Sequence, residues 1–205
     1  IELPRVLEAG RIIDPEFFRV RTPGENEPMR VLLVGPSQVE SKGIADGYGA
    51  AAHARWFHQK FELIRASPWA PSREEPLDDV QEFHVGMTFR EMSRLMHTCD
   101  VLIGPSHAGD EFGLAAARAL ASGVPAVLTA VPAYQSFDAV HDYALFSGPE
   151  NAVELGEQLI ELLGDYELRE RVRRRGTAVA EQWRAESVID RLEAFLVERL
   201  AVRQR

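Results

Sequence analysis

The chain has 205 residues, 45% hydrophobic and 27% charged, the composition of a globular protein long enough to bury a sizeable core. Its net charge of −9 argues against a general nucleic-acid binder, and no apolar run approaches the roughly 18 residues of a membrane span. A single cysteine, Cys99, excludes an internal disulfide and a cysteine-built metal cluster; set in an apolar run, it reads as buried and inert.

Residues 1–29 mix short apolar pieces with Pro4, Pro15, Pro23, Gly24 and Pro28, and read as an N-terminal strand and linker ahead of one domain over 30–205. IELPRVLEAG lacks a charged-then-apolar leader, so a cytoplasmic location is expected. MRVLLVG (Met29 to Gly35) predicts a strand, residues 41–58 a helix, KFELIRAS (Lys60 to Ser67) a strand and SPWAPSREEP (Ser67 to Pro76) a loop. VQEFHVG (Val80 to Gly86) predicts a third strand. Apolar residues at 89, 92, 95, 96 and 99 predict a helix over Phe89 to Cys99.

The next stretch, VLIGPSHAGDEFGLAAARALASGVPAVLT, reads as strand (Val101 to Gly104), loop (Pro105 to Phe112), helix (Gly113 to Ser122), turn (Gly123) and strand (Val124 to Thr129). That is one unit of a parallel sheet. DYALFSG (Asp142 to Gly148) predicts a sixth strand, and from Pro149 onward the pattern is helical, with a run ending at Gly164 and two more helices over 166–182 and 185–200. The fold class is therefore α/β: a Rossmann-like, doubly wound parallel six-stranded sheet, expected order 3-2-1-4-5-6, with C-terminal helices.

In such sheets the ligand sits at the carboxyl ends of the strands, beside helix N-termini. Two loops fall there. In GPSQVESKG (Gly35 to Gly43), Gly35 permits an open turn, while Ser37, Ser41 and Lys42 offer hydroxyls and a positive charge to a phosphate; the loop has neither the P-loop nor the dinucleotide spacing. Lys42 and Lys60 are the only lysines in a chain whose other cations are arginines. The second loop holds Ser106, His107, Asp110 and Glu111, followed by the helix start at Gly113 and Leu114. Its free N–H groups suit a diphosphate, and because a carboxylate beside a diphosphate is costly, one of the two acids is expected to face sugar hydroxyls. The combination points to a sugar nucleotide. Arg118, mid-helix among alanines, admits two readings: a solvated side chain, or one reaching ribose or phosphate.

His53, His58 and His97 fall in predicted helices and read as structural; the six histidines show no metal spacing. No DxD triplet is present, so a metal-bridged diphosphate is not indicated and no cofactor is expected. RERVRRRG (Arg169 to Gly176) is a basic run read as a solvated helix face, with a membrane-surface contact as the sharper alternative.

At these residues the chain resembles the C-terminal, nucleotide-sugar-binding half of a GT-B glycosyltransferase of the large retaining family four, over roughly residues 30–200. Gly35 and Lys42–Gly43 match the family's first loop. Gly86, Leu95, Asp100–Val101 and Pro105–Ser106 match its middle stretch. Phe112, Gly113, Leu114, Ala119, Leu120, Ala121, Gly123 and Pro125 match its signature. Leu162–Leu163, Asp165, Leu168–Arg169, Arg171 and Gly176 match its tail. The resemblance implies that Lys42 and the backbone at Gly113 and Leu114 hold the donor diphosphate. It also implies that Gly86 and Met87 frame the base and that Asp110 or Glu111 contacts the transferred sugar. Two positions depart from the pattern: Pro36 stands where an arginine is usual, and Arg118 where a second acid normally holds the ribose.

The family's acceptor site lies in an N-terminal domain, for which residues 1–29 are too short; Ile13–Asp14 and Phe17 resemble the piece entering the C-terminal half. The expectation is a donor-binding domain of a metal-independent, retaining glycosyltransferase. Its partners would be a nucleotide sugar and an acceptor domain ahead of Ile1, and alone it would bind donor weakly and transfer nothing. Two rivals are a non-catalytic nucleotide-sugar-binding or scaffold module, and a sugar-nucleotide epimerase.

Overall fold

A computed structural model describes residues 11–20, 27–110 and 112–203. Its six strands are all parallel: β1 (Met29–Val34), β2 (Phe61–Ser67), β3 (Val80–Val85), β4 (Val101–Gly104), β5 (Ala126–Thr129) and β6 (Leu145–Ser147). They lie in the order β3-β2-β1-β4-β5-β6, as right-handed crossovers require. The chain therefore reverses direction across the sheet between β1 and β4, and the loops leaving those two strands open a crevice.

Helices cover both faces, which is why the strands read as continuous apolar runs. Alternate residues of β1 serve opposite cores. Val31 and Leu33 pack with α1 (Ile44–Trp56), α5 (Ala152–Gly164) and Leu168 and Val172 of α6 (Tyr166–Ala180). Leu32 packs with α2 (Phe89–Met96) and α3 (Leu114–Ala121), alongside Trp183. Ile13 and Phe18 of the N-terminal segment are buried in this second core, and the Ile13 N–H donates to the Trp183 carbonyl at 2.9 Å.

Several element boundaries differ from the sequence reading, each for a local reason. The helix expected over 41–58 is split: a 3₁₀ turn (Glu40–Lys42) ends at Gly43, whose φ of 57° breaks the spiral before α1 begins. His58 follows α1 in a left-handed turn, exposed and outside the helix, and His97 sits just past α2 with its ring on the Arg19 carbonyl. The strand expected over Asp142 to Gly148 keeps three residues. Tyr143 turns into the core and bonds the Tyr134 carbonyl, while Asp142 is held by Arg175 of α6. α4 (Pro132–Gln135) is a single turn, too short for periodicity to reveal. α5 starts not at Pro149 but after Asn151, whose side chain caps the Glu154 N–H at 3.1 Å.

The basic run is mostly consumed internally. Arg169 is buried, donating to the Leu162 and Leu163 carbonyls at the end of α5; Arg173 pairs with Glu170 and Arg175 with Asp138 and Asp142. Arg171 and Arg174 remain exposed, too few charges to make a strongly basic face. Among the described residues no helix is long and apolar enough to cross a membrane.

Candidate functional site

The two loops at the crevice are stitched together. The His107 N–H donates to the Ser41 carbonyl at 2.9 Å, and His107 Nε2 meets Asp46 Oδ2 at 2.7 Å. Gly43 lies so close to the Pro105 carbonyl that a Cβ there would come within 1.8 Å of its oxygen. Across this seam Lys42 Nζ donates to Asp110 Oδ1 at 2.7 Å. The other Asp110 oxygen accepts from Ser106 Oγ at 2.7 Å. Ser106 has only one proton to give, so its 2.8 Å contact with Tyr134 is donated by the tyrosine hydroxyl. Burial pushes the Tyr134 phenol far above its ordinary pKa, which keeps it a donor throughout the physiological range.

Gly113 opens α3 in the left-handed conformation (φ 64°) and supplies no side-chain cap, so the first-turn N–H groups face the crevice uncapped by a side chain. A Cβ at Gly113 would fall 2.3 Å from the Tyr134 ring, so the glycine is required by packing as well as by backbone angle. One helical turn on, Arg118 shares the face of Leu114 and Ala115. Its guanidinium lies 4.6 Å from the Phe89 ring centre and 5.1 Å from that of Phe18. Burial, and then the charge of Arg11, lower its pKa below the ordinary arginine value. Among the described residues Arg118 makes no ion pair.

Two cavities meet here. One, of about 190 Å³, is bounded by Gly35, Ser106, Met92, Met96, Tyr134 and Arg118. The other, of about 350 Å³, is bounded by Arg11, Ser41, Gly109 and Phe112. Lys42, Asp110, Gly113 and Leu114 belong to both. The Lys42–Asp110 ion pair thus lies where the two cavities adjoin.

Of the residues singled out in the sequence, Gly35, Lys42, Ser106, Asp110, Gly113, Leu114 and Arg118 converge on the smaller cavity. Ser37, Gly86, Met87 and His107 line neither cavity. Ser37 is captured by Glu75, donating to its Oε2 at 2.5 Å, and His107 is turned to Asp46. Gly86 ends β3, two strands from β1, and Met87 packs into the core. Glu111 lies outside the described residues. Asp110, one of the two acids of which one is expected to face sugar hydroxyls, has both oxygens engaged by Lys42 and Ser106. Lys60 lies beside Phe61 and Arg55, at the opposite end of the strands.

Sequence reasoning missed the wall built by Met92, Met96 and Tyr134. The two methionines stand one turn apart on α2 and read simply as its apolar stripe; nothing in the sequence marks Tyr134. It also missed a buried network under the first loop. Arg65 of β2 donates to the Leu33 and Gly35 carbonyls at 2.9 and 3.0 Å, and its ion pair with Glu75 closes at 2.6 Å. Tyr48 donates to the same Glu75 at 2.8 Å. Burial, then the bond to Glu75, push the Tyr48 phenol up to about 12. Cys99 is fully buried, and burial pushes its thiol up to about 11, in keeping with an inert side chain. Among the described residues no group of three or more His, Cys, Asp or Glu is placed to hold a metal ion.

The family model described as "Glycosyl transferases group 1" matches residues 70–179. No curated protein matches the chain. Among solved structures, the chain is similar to the C-terminal domain of a glycosyl transferase group 1 family protein from Francisella tularensis (TM-score 0.67, 17% identity, covering 84% of this chain and 99% of that one). It is also similar to sucrose-phosphate synthase from Thermosynechococcus elongatus (TM-score 0.72, 17% identity, 95% of this chain and 52% of that one). A third is HepE from Anabaena in complex with UDP-glucose (TM-score 0.65, 17% identity, 82% of this chain and 48% of that one). The chain spans about half the length of the last two. At these identities the likenesses speak for the fold.

Proposed function

The chain belongs to the group 1 glycosyl transferases, and from that premise we propose that it is the donor-binding domain of an enzyme that moves a sugar from a nucleotide sugar to an acceptor held by a further domain. The observation that carries this reading is the convergence of Lys42 and the α3 N-terminus on one crevice between β1 and β4. A cation and a row of N–H groups suit a diphosphate, and both become more stabilising as negative charge builds on it when the sugar bond breaks. The UDP-glucose bound to the Anabaena relative supports the same ligand class.

Donor binding on this reading is an exchange. The diphosphate takes Lys42 from Asp110, and the released carboxylate accepts from sugar hydroxyls. The Ser106 and Tyr134 hydroxyls keep Asp110 oriented through the exchange. With Lys42 and the helix neutralising the leaving group, transfer is proposed to need no metal ion and to retain the anomeric configuration. An unchanged rate in chelator and the anomer of the product, read by NMR, test these two points.

Lys42→Ala is expected to weaken nucleotide diphosphate binding about tenfold to a hundredfold, since a charge-assisted hydrogen bond contributes about 1.5–3 kcal/mol and Asp110 then faces the diphosphate uncompensated. Calorimetric titration of the protein with UDP, GDP and ADP and their sugars measures it; no binding at millimolar concentration, or binding indifferent to the substitution, overturns the reading. One observation favours a second reading, a binding module without transfer: Lys42 is already neutralised by Asp110. Nucleotide-sugar binding by the complete protein with no transfer to any acceptor or to water would favour that module.

A further inference from the structure

Three charged side chains line the smaller cavity: Lys42, Asp110 and Arg118. The first two cancel at 2.7 Å. Arg118 therefore leaves the cavity with a net positive charge, inside a chain whose overall charge is −9. Its guanidinium is half-buried, and the faces of Phe18 and Phe89 stack on it. Such stacking offsets part of the desolvation but uses none of the five N–H donors. No described residue supplies an oxygen to them. A planar fork of donors, set against two rings in the wall of the smaller cavity, matches two oxygens of one anionic group and is a poor match for a lone hydroxyl.

We propose, building on the donor-binding reading above, that Arg118 selects donors carrying a second anionic oxyacid group, a phosphate or a carboxylate, in addition to the diphosphate at Lys42. A diphosphate alone leaves the Arg118 fork unpaired and the site half complementary. A ligand with a second anionic group fills both ends. The shared chemistry has two sources: a phosphate on the nucleotide ribose, or a carboxylate on the transferred sugar.

Two matched pairs distinguish these sources, each differing by that one group: ADP against adenosine 3′-phosphate 5′-diphosphate, and UDP-glucose against UDP-glucuronate. Calorimetric titration of the complete chain is expected to show the more anionic member of one pair binding about tenfold or more tightly than the member lacking the second anionic group, the worth of one charge-assisted contact. The pair that shows the preference names the source. In Arg118→Met, which keeps the apolar stem against Phe18 and Phe89, that ratio should collapse to about one. Arg118→Lys, which keeps charge without the fork, should fall between, and serves if the methionine variant fails to fold. Equal affinities within both pairs, or a preference that survives Arg118→Met, overturn the inference while leaving the donor-binding reading intact. Failure of all four ligands, and of GDP and its sugars, to bind overturns that reading as well.

Discussion

Gly43→Ala is expected to destabilise the protein by about 3 kcal/mol or more, adding the cost of a left-handed non-glycine residue, about 1–2 kcal/mol, to that of an overpacked contact, about 1–3 kcal/mol. The new methyl would stand 1.8 Å from the Pro105 carbonyl oxygen and 2.9 Å from the His107 ring. A side chain can rotate out of such an overlap; a carbonyl at the end of β4 cannot. The loops after β1 and β4 must part instead, and they carry Lys42 and Asp110 away from each other. The substitution therefore acts twice, on the melting temperature and on the site. In a chain of this size the loss corresponds to a fall of about 6–12 °C. Gly109→Ala is the control: it too has a positive φ, 103°, but nothing lies within 4 Å of its Cβ, so strain without collision should cost visibly less. Equal melting temperatures for the two variants would show that the Gly43–Pro105 contact yields without cost.

What the sequence made legible follows from what periodicity encodes. Val31, Leu32 and Leu33 announce a strand buried on both faces, and repetition of that pattern between helices is enough for a parallel sheet and its order. The order in turn brings the loops after β1 and β4 together, which is why Lys42 and the 106–118 stretch could be assigned to one place from sequence. Partners within that place are another matter. Lys42 and Asp110 lie 68 positions apart, and no local pattern says that a phosphate-seeking lysine and a hydroxyl-seeking acid will take each other. Ser37 shows the same limit: its hydroxyl is held by Glu75, in a proline-rich loop without periodicity that no local pattern connects to it. Arg65 sits in a strand whose other residues are mostly apolar, and nothing in that segment reveals that its charge will be buried.

That buried charge makes Glu75→Ala the other substitution of large effect, expected to cost about 3–5 kcal/mol, because it strands the Arg65 guanidinium without a carboxylate. The side chains are 0% and 1% exposed, so water cannot take over the lost partner. Replacing the pair together, Arg65→Met with Glu75→Leu, should recover most of the loss, since two apolar residues leave no unpaired charge. The acid dependence is signed. Burial alone would raise the Glu75 pKa, but hydrogen bonds from Ser37, Arg65 and Tyr48 outweigh it and hold the carboxyl below its usual range. A group whose folded pKa is depressed adds stability above its unfolded pKa, and that contribution is lost as pH falls through the folded value. The gap between wild type and Glu75→Gln should therefore be full at pH 7 and shrink below about pH 4; a gap that widens on acidification would refute the assignment. The site should register the change too. Arg65 holds the Gly35 carbonyl at the rim of the smaller cavity, so loosening its anchor should weaken nucleotide binding even at temperatures where the variant stays folded. Stability and affinity would then move together in Glu75→Ala and separate in the double variant, which restores packing but not the two carbonyl bonds that shape the loop.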